Sequence, residues 1–196
     1  SSGQKNVAIG YQSFDAFTTG YNNTVLGYKA GTSVTSGYSN VLIGYEAAEV
    51  ISTGYENVVI GANPSQANLQ QSTLIGFNAG KEGTAHNVVG IGYRAIGQGT
   101  LTTGANGTVA IGYTAGQDLT SGAGNIAIGY EAMKTHTTGV RNIAIGYGAM
   151  DDTDAGSTSL GSQDNIFMGY EAGGGTWADA ASQYNVGIGN YVMDGA

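Results

Sequence analysis

Asn142-Ile143-Ala144-Ile145-Gly146-Tyr147-Gly148-Ala149 decides how this chain is read, because the chain writes it again and again. Asn125-Ile126-Ala127-Ile128-Gly129-Tyr130-Glu131-Ala132 is nearly the same, and Asn6-Val7-Ala8-Ile9-Gly10-Tyr11 carries the motif near the start. With the motif glycine as anchor there are eleven copies, at Gly10, Gly27, Gly44, Gly61, Gly76, Gly92, Gly112, Gly129, Gly146, Gly169 and Gly189. Half of the ten intervals between anchors are 17 residues. Self-similarity at a short fixed period marks a solenoid, a stack with one supersecondary unit per repeat.

The residue before each anchor is large and aliphatic, from Ile9 and Leu26 to Met168 and Ile188. Two positions earlier every copy is β-branched, as at Val7, Thr24, Val41 and Ile166. This alternation is the period of a strand, and β-branching suits a pleated surface. The position between reads Ala8, Val25, Leu42, Val59, Leu74, Gly90, Ala110, Ala127, Ala144, Phe167 and Gly187, and is never polar. A strand apolar on both faces is buried on both. One short coil closes only one side of its strand around its own core. Ala and Gly tolerate water, but Val25, Leu42, Val59, Leu74 and Phe167 are not small, so the middle column is expected to form an oligomer seam.

Ahead of the strand stands an asparagine in most copies: Asn6, Asn23, Asn40, Asn57, Asn125, Asn142, Asn165 and Asn185. Asparagine tolerates turns and bonds stacked neighbours, which predicts a corner ladder. A second glycine lies seven residues before many anchors (Gly3, Gly20, Gly37, Gly54, Gly122 and Gly139) and is expected to supply a turn with positive φ. A second strand is expected between the two corners. Tyr11, Tyr28, Tyr45, Tyr93, Tyr113, Tyr130, Tyr147 and Tyr170 follow their anchors, with Phe77 in the same column, and Tyr21, Tyr38 and Tyr55 form a shorter one. Aromatic columns of this regularity are expected to pack ring on ring; a sugar platform is the alternative use.

The chain has 196 residues, with 35 Gly, one Pro, no Cys and a net charge of −8. A strand motif at fixed period argues against the disorder or collagen that such glycine content otherwise suggests, and glycine disfavours helices. Six scattered basic residues make no phosphate-binding patch. No apolar run is long enough for a membrane-spanning helix. The expectation is an all-β fold: one parallel β-solenoid of about eleven short coils over residues 1–196, a fragment of a longer surface protein. The long intervals between Gly146, Gly169 and Gly189 place loop insertions at about 148–164 and 173–184. The other break in the template follows Gly61, where Ala62 replaces the usual tyrosine.

The iterated Asn-[Val/Ile]-Ala-Ile-Gly motif, with its glycine turns, resembles the head domains of YadA-like trimeric autotransporter adhesins. With Gly-Tyr-x-Ala after the strand, it is also similar to repeats of phage tail fibres. The resemblance covers essentially the whole chain; the repeat here is longer than in those heads and adds the tyrosine. It implies a left-handed parallel β-roll, assembled as a homotrimer with the small-residue strand face on the threefold axis. It also implies an extracellular location, on a bacterial cell surface or a virion.

For function, the expectation is a non-enzymatic module that binds a cell-surface glycan or other extracellular receptor, with avidity from trimerisation. A solenoid enzyme acting on polysaccharide through the Asp151–Asp164 region is an alternative, since paired carboxylates cleave glycosides. An ice-binding solenoid is another, given hydroxyl pairs such as Thr18-Thr19 and Thr137-Thr138, although coils five and six interrupt that column. Trp177, the one tryptophan, lies in a glycine-flanked loop outside the template, with Asp179 and Tyr184 following it. These three residues are the expected ligand contacts, because unique exposed tryptophans anchor interfaces. Asp151, Asp152 and Asp154 are candidate oxygen ligands for calcium, the one cofactor considered. His86 and His136 have no cysteine partner and are expected to be solvated loop residues.

Overall fold

A computed structural model describes residues 3–64, 69–80, 83–98, 101–151, 161–175 and 182–194. It contains eleven strands of three residues: β1 (Val7–Ile9), β2 (Thr24–Leu26), β3 (Val41–Ile43), β4 (Val58–Ile60), β5 (Thr73–Ile75), β6 (Val89–Ile91), β7 (Val109–Ile111), β8 (Ile126–Ile128), β9 (Ile143–Ile145), β10 (Ile166–Met168) and β11 (Val186–Ile188). They form one parallel sheet in chain order. Motif pairs with motif throughout, Ile126 with Ile143 and Ala127 with Ala144. The short and long intervals do not disturb this register, since Val58 still pairs with Thr73 and Ile143 with Ile166. The fold is a β-solenoid, and helix among the described residues is limited to one 3-10 turn at Thr103–Ala105. The expected second strand is reduced to single-residue parallel bridges such as Tyr21–Tyr38–Tyr55.

The two faces of the strand are used the other way round from the expectation. Val25, Leu42, Val59, Leu74, Ala110, Ala144 and Phe167 are fully buried within one chain. The middle column therefore fills the coil's own interior and is not a seam. The flanking columns face outward: they are part-buried in the central strands and exposed at Val7, Ile9, Leu26, Met168, Val186 and Ile188. The reason is volume. A coil this narrow holds one side chain from the strand and one from the position six residues later, and the two sizes trade against each other. Val25 and Leu74 are followed by Gly31 and Gly80, whereas Gly90, Ala127 and Ala144 are followed by Ile96, Met133 and Met150. A methyl added at Gly80 would lie 2.8 Å from Leu74 Cδ1, and one added at Gly90 would lie 2.6 Å from Ile96 Cγ2. Phe167 is admitted by glycine on two sides, at Gly173 and Gly187.

The asparagines form the expected ladder, and they form it inside. Asn23, Asn40, Asn57, Asn125, Asn142 and Asn165 are buried. Except at Asn57, each Oδ1 accepts two bonds from the asparagine above, as Asn23 does from the backbone N–H and Nδ2 of Asn40 at 3.1 and 3.0 Å. Asn40 Nδ2 also donates to the Gly54 carbonyl at 2.9 Å. Buried amides satisfied in this way contribute stability, whereas an orphaned one costs about 1–3 kcal/mol. Ser72 and Thr108 replace asparagine in the middle coils, and Ser72 still donates its N–H to Asn57 Oδ1.

The glycines seven residues before the anchors do not supply positive φ. A methyl at Gly20, Gly37 or Gly54 would instead overlap the carbonyl oxygen of the next coil, so glycine is required for close stacking. The left-handed conformation at this corner falls two residues later, on Asn22, Ser39, Glu56, Arg141, Asp164 and Tyr184. The anchors meet both demands, with φ between 133° and 144° and the next anchor's carbonyl against the missing Cβ in every coil but the last.

Candidate functional site

Because each anchor turns the chain outward, the residue after it stands on the outer corner, directly above its counterpart. Tyr11, Tyr28 and Tyr45 stack with ring centroids 5.5 and 5.3 Å apart. A second run begins at Phe77 and continues through Tyr93, Tyr113, Tyr130, Tyr147 and Tyr170 at 4.8–5.6 Å. Tyr191 closes it edge-on to Tyr170. These rings remain about 40–65% exposed, so the ladder is both packing and surface. Lys29 lies over the Tyr28 ring and Arg94 over the Tyr93 ring. A hydrogen bond to Glu46 holds the Tyr45 phenol above its ordinary pKa, and Glu171 does the same for Tyr170. Desolvation in the stack is the main cause of the upward shift at Tyr130 and at Tyr38, which belongs to the shorter ladder Tyr21–Tyr38–Tyr55.

Of the expected ligand contacts, Trp177 and Asp179 lie outside the described residues. Tyr184 is 73% exposed and stands at a left-handed corner, donating its N–H to the Gln163 carbonyl. The coils below place Asp164 and then Arg141 at the same corner position. Arg141 binds Asp164 with two parallel N–H bonds of 2.7 and 2.8 Å. The guanidinium holds the Asp164 carboxyl below the usual carboxylate range.

Asp164 is thus engaged in an ion pair, at the corner opposite in the repeat to Asp151. Asp151 faces Gly174 instead, where a methyl would lie 3.3 Å from its Oδ1 and 3.4 Å from Oδ1 of Asp194, a residue that sequence reasoning passed over. The signal was present: Asp151, Gly174 and Asp194 each stand five residues after an anchor. Asp152 and Asp154 lie outside the described residues. Among the described residues, no group of three His, Cys, Asp or Glu side chains is placed to hold a metal ion.

His136 corrects a further expectation. It is fully buried, not solvated, with Nε2 3.3 Å from Nδ2 of the ladder residue Asn142. Counting from the anchors finds the cause, since His136 occupies the interior position held by Val34, Ile51 and Leu119 in other coils. Gly139 leaves room for its ring. His86 is part-buried, and its backbone N–H donates to Asn106 Oδ1 at 2.8 Å.

The hydroxyl column is engaged in turn chemistry, with Thr18, Thr35 and Thr120 donating to carbonyls of the following coil. Comparison with protein-family models, with curated proteins and with solved structures gives no match to the chain.

Proposed function

We propose that the chain is a non-enzymatic recognition module of an extracellular surface protein, an adhesin head or a phage fibre region, that binds a cell-surface glycan as a parallel homotrimer. The observation that carries this reading is the outward face of the sheet. Of the two outward positions on each of eleven strands, all are apolar except Thr24 and Thr73. With strands about 4.8 Å apart, the face is a strip on the order of 50 Å long and 10 Å wide. That is at the upper end of the apolar patch a soluble monomer leaves in water. Three such strips, brought together on an axis, cover one another. The seam is therefore assigned to the columns from Val7 to Val186 and from Ile9 to Ile188, in place of the small-residue column.

Regular coils present the same groups at each step and discriminate poorly between ligands. Trp177, Asp179 and Tyr184 are accordingly proposed as receptor contacts, with Asp151, Asp152 and Asp154 as calcium ligands. Threefold repetition converts weak single contacts into avidity where geometry allows. Light scattering on the purified chain tests the assembly: a trimer is expected, and a well-folded monomer at micromolar concentration overturns the seam. A glycan array tests the recognition, with binding lost in Trp177→Ala at unchanged melting temperature. Release of reducing sugar from polysaccharide would replace this reading with the enzymatic one.

A further inference from the structure

The outer aromatic ladder is interrupted among coils that otherwise keep it. Ala62 takes the rung between Tyr45 and Phe77. The backbone remains in register there: the Asn63 N–H donates to the Tyr45 carbonyl at 3.0 Å, and the Asn78 N–H donates to the Ala62 carbonyl at 3.1 Å. The two rings are therefore two coils apart, about 10 Å at the spacing of strands, and they make no ring contact with each other. Every filled rung of the ladder uses 4.8–5.6 Å from centroid to centroid. The gap has the thickness of one ring.

We propose that this gap is a subsite for a single pyranose ring of a neutral glycan, held between Tyr45 and Phe77. The proposal rests on the glycan reading above and adds a second contact to it. A pyranose has apolar C–H faces and a hydroxyl-bearing edge, and the gap offers the complement of both. Its walls are aromatic faces, 51% exposed at Tyr45 and 44% at Phe77. The residues following the first two rungs are Glu46 and Asn63, both part-buried, a carboxylate and an amide suited to hydroxyl groups. Asn78, which follows the third rung, is buried and its Oδ1 is not accessible.

An aromatic side chain would fit the same thickness but would leave this polar rim unused. An acidic sugar is disfavoured by Glu46, because the nearby cations Lys29 and Arg94 belong to Tyr28 and Tyr93, one rung beyond each wall.

The test is an NMR titration of the whole chain, in its native assembly, with cellotetraose and with the N-acetylglucosamine tetramer. Saturable shifts are expected on the ring protons of Tyr45 and Phe77, larger than on Tyr130 or Tyr147. Ala62→Tyr completes the ladder and should weaken that binding by about tenfold or more while leaving the melting temperature unchanged or higher. Should Ala62→Tyr disturb the fold, Tyr45→Ala removes one wall and must weaken binding as well. Absence of shifts at Tyr45 and Phe77 with both sugars overturns the subsite, as does undiminished binding in Ala62→Tyr. Array binding that Trp177→Ala abolishes and Ala62→Tyr leaves untouched overturns the subsite alone and keeps the recognition reading. An array without glycan binding overturns both.

Discussion

The inward and outward faces of the same eleven strands are both apolar, yet they follow different rules. Inward residues vary from Gly90 to Phe167, and in most coils the size is matched by the residue six positions on, Ala110 with Gly116 being an exception. Outward residues vary little, being Val, Ile, Leu or Met with two threonines, and have no such partner within the coil. Variation with compensation marks a closed space of fixed volume. Uniformity without compensation is what the proposed seam between equally regular copies would require. Hydrophobicity alone does not separate the two, and side-chain volume does.

The largest expected effect comes from breaking the inward match. Phe167→Ala should cost about 3–5 kcal/mol, because it leaves a cavity between Gly173 and Gly187. Phe167→Ala with Gly173→Met would give this coil the arrangement of Ala144 and Met150, and Met150 already adopts φ 51° at the equivalent corner. A denaturation double-mutant cycle should show the second change recovering about half of the loss or more. Independent, additive losses would refute the volume match.

A smaller effect on stability, with a larger one on assembly, is expected outward. Ile60→Ser removes a part-buried side chain and should cost the isolated chain about 1 kcal/mol. The same change, repeated at Ile128 on the outward face, should dissociate the proposed trimer in light scattering. If Ile60→Ser instead unfolds the chain as Phe167→Ala does, the two faces are not distinct.

The smallest effect concerns the aromatic stripe. Tyr38, Tyr45, Tyr130 and Tyr170 are all held above the ordinary 10.0. The folded state therefore keeps protons that the unfolded state gives up. The contribution is fully present below pH 10.0 and is lost as pH rises through the raised values. Tyrosinate absorbance during an alkaline titration should show these phenols ionising later in the folded chain than in denaturant. Coincident curves would remove both the stack, at Tyr38 and Tyr130, and the glutamate hydrogen bonds, at Tyr45 and Tyr170, as sources of the shift.

Much of this was legible in the sequence. The strand positions, the asparagine ladder and the tyrosine stack follow from columns that repeat, and repetition survives without knowledge of the third dimension. Which strand face turns inward was not legible from alternation, because a period of two reads the same after inversion. The trade between Ala127 and Met133, or between Leu74 and Gly80, would have settled it. The glycines seven residues before the anchors misled for a related reason. Glycine serves positive φ and close backbone approach alike, and composition does not distinguish them. His136 misled because a polar residue between turns reads as solvated until it is placed in the column of Val34, Ile51 and Leu119. The Arg141–Asp164 pair spans 23 residues of chain, and only the coil register brings it together.

The register of the asparagine rungs has a consequence for how such a chain can change. Asn165 bonds Asn142 across 23 residues with the geometry that Asn142 uses toward Asn125 across 17. Ser72 reaches Asn57 across only 15. Coil length is thus decoupled from coil contact: the rungs stay in line whatever the number of residues between them. A gene segment encoding one whole coil can then be duplicated or lost without redesigning an interface, since every coil presents to its neighbour the surface that the neighbour presents in turn. Length becomes a quantity that recombination sets in steps of one coil. Novelty is confined to the few positions, such as Ala62, where a copy has drifted from its template.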